Sequence, residues 1–180
     1  MPFDLTGTQA PWVIFGPRDS RVISDQIENL VHHGGRVREL SANRLLDVGE
    51  LFQEFSDKFS FPAYFGRNWD AMVDCLDDLC ESVTDGVGVV GVIRGADVLM
   101  RAEHLKLFVS VLCQGADRAN SSVDLDGEPR YRPAVIEHFV FLMDECDPKE
   151  VAARIEHSDL LVTVEGEHVT AELNPEVWFS

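Results

Sequence analysis

The chain has 180 residues, 45% of them apolar, which is enough to bury a sizeable core in one domain with embellishments. Its 32 acidic and 15 basic residues give a formal net charge of −17, which argues against direct binding to nucleic acid or an anionic membrane and favours basic partners. No apolar run is long enough to span a bilayer, and Met1-Pro2-Phe3-Asp4 lacks the basic start and apolar stretch of a signal peptide, so a cytoplasmic protein is expected.

In chain order, Pro11 to Phe15, bounded by Gly16-Pro17, reads as a short buried strand. Val22, Ile23, Ile27, Leu30 and Val31 recur at helical spacing and Gly34-Gly35 stops that helix, with His32-His33 suiting its negative end. A strand follows over Val37 to Leu40. Leu45, Leu46, Val48, Leu51, Phe52 and Phe55 then describe an amphipathic helix ending near Phe59, and Ser60 to Gly66 forms a loop.

The stretch from Tyr64 to Leu79 builds a second amphipathic helix starting near Trp69. Asn68 is a good N-cap, and Gly66 lets the chain turn sharply into the helix. At about 100° per residue, Asp70, Asp74, Asp77, Asp78 and Glu81 fall in one arc, while Trp69, Met72, Val73, Leu76, Leu79 and Cys80 fill the other. Like charges four apart each cost roughly 0.2–0.5 kcal/mol, so stability alone does not choose this stripe.

Gly86 to Ile93 reads as a central parallel strand covered on both faces. A long helix follows, with Leu99, Leu105, Leu107, Phe108, Val109, Val111 and Leu112 as its apolar residues, ending near Gly115. Ala116 to Pro133 reads as an exposed loop and Val135 to Leu142 as a strong strand. Asp147 and Glu150 make a capping box around Pro148, opening a short helix to about His157. Leu160 to Val164 and His168 to Leu173 form a hairpin around Glu165-Gly166-Glu167. The alternation predicts an α/β fold, a small parallel sheet covered by helices, whose terminal strands either extend the sheet or pair with each other.

Cys75, Cys80, Cys113 and Cys146 lack Cys-x-x-Cys spacing and read as buried free thiols. Asp124-Leu125-Asp126-Gly127-Glu128 resembles a fragment of a calcium loop but lacks its third early ligand and its properly spaced terminal Glu. Neither a metal nor a cofactor is expected. Asp70 and Asp74 lie on adjacent turns of one exposed helix, a poor cleft for a hydrolytic carboxylate pair, so no enzyme is expected.

Tyr64, Phe65, Gly66, Asn68, Asp70, Ala71, Asp74, Cys75 and Leu76 hold fixed spacings over thirteen positions. That pattern resembles the barstar family, intracellular inhibitors of barnase-type ribonucleases. The resemblance implies a barstar-like domain over 36–143, an N-terminal strand and helix over 1–35, and a C-terminal helix and hairpin over 144–180. It implies a partner-binding surface drawn from Tyr64, Phe65, Gly66, Arg67, Asn68, Trp69, Asp70, Ala71, Asp74, Asp77 and Asp78. Asp74 is the expected phosphate mimic, Asp70 its neighbour in the groove, and Tyr64 the ring that packs on a catalytic histidine. Simpler readings stand beside these: Asn68 as a cap, Gly66 as a backbone residue, Tyr64 as half-buried core, Trp69 as packing, and Asp77, Asp78 and Glu81 as electrostatic background. Arg67 beside the stripe either meets a partner acid or trims the field. Family members also use an acid late in the following helix, whereas Val111 to Gly115 carries none before Asp117. The implied function is an immunity protein that blocks the phosphate-binding site of a basic ribonuclease or related toxin. The alternative is a binding module for a cationic partner that is not a nuclease.

Overall fold

The computed structural model describes residues 3–179. Its strands are β1 (Val13–Pro17), β2 (Arg36–Ser41), β3 (Gly88–Arg94), β4 (Ile136–Met143), β5 (Leu160–Glu165) and β6 (His168–Leu173). The helices are α1 (Arg21–His32), α2 (Val48–Phe59), α3 (Trp69–Asp77), α4 (Glu81–Thr84), α5 (Leu105–Ala119), α6 (Pro148–Ile155) and α7 (Pro175–Trp178). Short 3₁₀ turns at Ala42–Leu45 and Ala96–Arg101 lead toward α2 and α5. Side-chain caps start α1, α2 and α6: Ser20 accepts from the Ile23 amide, Asp47 from Glu50 and Asp147 from Lys149.

The strands form one sheet in the order β2-β3-β4-β1-β6-β5. The first four run parallel, while β6 is antiparallel to β1 and β5 antiparallel to β6. The N-terminal strand therefore lies inside the sheet, with Val13 opposite Phe139 on one side and Ala171 on the other. The C-terminal hairpin is joined to the rest of the sheet through β1. One sheet thus runs through all three expected segments.

Alternation along β4 divides the core. Phe139, Phe141 and Met143 enter the larger cluster with Phe55, Phe59, Met72, Leu76 and Phe108, whereas Val140 and Leu142 pack with Phe3, Leu5, Ile23 and Leu30. Helices α2, α3, α5 and α6 thus cover one face, and α1 with the N-terminal segment covers the other. Gln26 ties that segment down, accepting from the Leu5 amide and donating to the Phe3 carbonyl.

Three expectations need correction. The helix expected to end near Gly115 continues to Ala119, so the loop starts four residues later than Ala116. A Cβ at Gly115 would lie 2.6 Å from Leu76 Cβ, so this glycine is a close-packing point between α3 and α5 and not a stop. All four cysteines are free, yet only Cys113 is buried, Cys75 and Cys146 being partly covered and Cys80 exposed. The acidic helix ends at Asp77, and Glu81 belongs to the separate α4.

Candidate functional site: the acidic face of α3

The loop into α3 is built from the end of α2. Ser60 takes a left-handed conformation (φ 52°), the chain turns at Pro62 to Phe65, and the Phe65 ring packs edge-on against Phe61 and Phe52. The left-handed residue before the helix is Arg67 (φ 49°) and not Gly66. A Cβ at Gly66 would crowd the capping side chain, lying 3.0 Å from Asn68 Nδ2. The strained turn at Arg67 is braced by its guanidinium, which donates to Gln53 Oε1.

Asn68 caps the helix, its Oδ1 accepting from the Ala71 amide at 2.8 Å. Trp69 is half-buried, edge-on to Phe52 at 4.9 Å between ring centroids and facing Phe108 and His104. The aromatics thus divide: Phe65 and Trp69 turn inward, and Tyr64 is 85% exposed. Met72, Val73 and Leu76 are buried against α5. This inward side fixes how the outward side, Asp70 and Asp74, is presented.

Helix α3 stops after nine residues because its C-terminal turn has no basic side chain and gathers Asp74, Asp77 and Asp78 at the negative end of the dipole. Three arginines from outside the helix answer that charge. Arg118 of α5 places Nη1 3.1 Å from Asp74 Oδ1, on a carboxylate that is still 75% exposed. Arg130 donates to Asp77 Oδ1 at 2.7 Å and to the Arg118 carbonyl at 2.7 Å. Arg132 donates to the same Asp77 oxygen at 2.5 Å and to the Asp77 carbonyl, and its Nε lies 3.7 Å from Asp78 Oδ1. Asp77 is correspondingly covered, its side chain 19% exposed. Asp70 is exposed and forms no ion pair among the described residues.

Beneath this charge rail lies Glu137 of β4, fully buried, with neither carboxylate oxygen hydrogen-bonded. Burial pushes its carboxyl well above the ordinary range, Asp77 pushes the same way, and Arg132 opposes. Asn120 secures the backbone around it, donating to the Glu137 carbonyl at 2.9 Å and to the Ala116 carbonyl at 2.7 Å. Arg118, Arg130, Arg132, Asn120 and Glu137 escaped the sequence reading. The available signal was a cluster of three arginines within fifteen positions of a strongly acidic chain.

Beside the rail a cavity of about 600 Å³ opens between the end of α5, the loop after it and the α7 turn. Asp117, expected in the loop but lying in the last turns of α5, lines it and is half-buried, which raises its carboxyl.

Residues 35–128 match the family described as Barstar (barnase inhibitor), just over half of the chain. The chain belongs to the barstar family. The matched segment carries β2, α2, α3, β3 and α5, and so the whole acidic helix and Arg118 but not Arg130 or Arg132, and the covered, mostly parallel sheet agrees with a barstar-like α/β fold. No curated protein matches the chain. No helix among the described residues is long and apolar enough to cross a membrane.

Proposed function

We propose that this barstar-family protein is a cytoplasmic, non-catalytic inhibitor that binds a basic ribonuclease or related toxin and blocks its phosphate-binding groove with α3. The observation that carries the reading is Asp70 and Asp74 standing exposed on a helix whose other side is locked into the core, with Tyr64 exposed on the loop that leads into it.

A ribonuclease gathers Arg, Lys and His where charge builds on the transferred phosphate, and a rigid carboxylate fits the same place. Asp74 is the phosphate mimic, Asp70 its neighbour one turn earlier, and Tyr64 the ring that covers a cationic or aromatic group of the partner. The Asp74 carboxylate that pairs with Arg118 is largely exposed, so solvent screens the pair and its worth is about 0–1 kcal/mol. A desolvated cation in the partner's groove outcompetes it. Asp77, gripped by Arg130 and Arg132, serves the loop and not the partner, and Arg67 is occupied with Gln53.

The test uses the purified chain and its Asp74→Ala variant as paired baits in lysate and secreted fractions of the source cell, with captured proteins identified and assayed for RNA cleavage. A basic ribonuclease held and silenced by the unmodified chain is expected, with Asp74→Ala weakening the complex by roughly 2–5 kcal/mol, the cost of leaving a buried cation unpaired. A loss under about 1 kcal/mol, the size of a rim effect, removes Asp74 from the role. A captured partner without nuclease activity favours a barstar-family binding module for another cationic protein.

A further inference from the structure

We infer that the loop after α5 and the cavity behind it form a second docking surface for the same basic partner, receiving an apolar side chain flanked by Lys or Arg. This rests on the proposed binding of that partner to Asp70 and Asp74.

The two surfaces are continuous. Arg118 reaches Asp74 from the cavity wall, and Asp77 belongs to both the helix and the cavity lining. Arg130 and Arg132 hold the loop's return limb against the end of α3, so a protein seated on Asp74 meets the loop as well. The loop is preformed. Asp124 Oδ1 accepts from the Asp126 and Glu128 amides, both at 2.9 Å, and Val123 bridges Pro129. Little ordering cost is then left for association.

The chemistry of the cavity names its occupant. Leu125 is 81% exposed and Phe179 62%, and both line the cavity with Trp178, whose indole donates to the Asp159 carbonyl at 3.1 Å and is thereby fixed. Scattered apolar residues on a surface need no explanation, but these converge on one concavity. Asp117, Asp124 and Asp126 add negative charge, while the cations there, Arg118 and Arg130, are already engaged by Asp74 and Asp77. An apolar anchor carried by a basic protein fits both properties.

The probe is the basic ribonuclease recovered with the full-length chain and purified. Leu125→Ser and Phe179→Ala are each expected to weaken its binding about tenfold by faster dissociation, with unchanged thermal midpoints. Leu161→Ser, on exposed β5, is expected to bind as the unmodified chain does. Hydrogen exchange is expected to show residues 121–132 protected in the complex. Unchanged affinity in both cavity variants, or an unprotected loop, overturns the second surface while Asp74→Ala still reports the first. A concentration-dependent dimer of the free chain that Leu125→Ser abolishes overturns it also, by assigning the cavity to a second copy. Recovery of no ribonuclease overturns the proposed function and this inference together.

Discussion

Among single residues, charge pairing separates those available to a partner from those that hold the fold. Asp77 stands between two arginines, and removing its charge leaves Arg130 partly buried without an acid and Arg132 with only the longer contact to Asp78. Asp77→Asn is expected to cost roughly 1–3 kcal/mol in denaturant unfolding. Arg118→Ala, by contrast, is expected to cost under about 1 kcal/mol in stability and to speed association with a basic partner, because it frees Asp74. Glu137 carries the pH dependence. Its folded-state carboxyl is raised, so the stability associated with it is full below its ordinary value of 4.5 and is lost as pH rises through the raised value. Glu137→Gln is therefore expected to melt higher than the unmodified chain at about pH 8, with the gap closing below that ordinary value. A gap that widens on acidification would contradict the assignment. The Asn68 cap and the outward placement of Asp70 and Asp74 were legible in the sequence because both follow from local helix geometry. The arginine pairs were not, since Arg118 to Asp74 spans 44 residues and Arg132 to Asp77 spans 55, and only the fold brings them together.

Among the elements, the bearing of α3 is set by its contact with α5. The sequence spacing correctly located both helices, and the strands β2, β3 and β4, because their apolar patterns are strong. It misplaced two ends. Extrapolating one period carried α3 on to Glu81, whereas the helix ends at Asp77, where carboxylates gather in a last turn that has no basic side chain of its own. Gly115 resembled a stop, but Leu76 packs where its side chain would be. A methyl group at this point cannot enter without separating the helices. Gly115→Ala is expected to destabilise the fold by roughly 1–3 kcal/mol and to weaken partner binding as well, by tilting Asp70 and Asp74 away from their rigid setting. A variant with unchanged stability and affinity would show that α3 does not depend on this contact.

At the scale of the whole molecule, the charge of −17 acts as a field in addition to any single contact. Association with a basic partner is expected to slow markedly between low and physiological ionic strength, as the screening length shrinks toward about 8 Å, and stopped-flow measurements across salt concentration would show it. An on-rate indifferent to salt would remove steering from the account. Composition disclosed the sign of this field, and strand-helix alternation disclosed the class of fold. Neither fixed the position of the first strand, because pairing of β1 with β4 and β6 joins residues more than a hundred positions apart.

That central place for β1 has a consequence for biogenesis. Val13, Ile14 and Phe15 leave the ribosome more than a hundred residues ahead of both of their neighbouring strands. During that interval an apolar strand has no partner on either edge and is open to mispairing with other nascent chains. The family-matched middle has the means to collapse first, with β2 beside β3, and the sheet becomes continuous only when β4 and then the hairpin emerge to enclose the waiting strand.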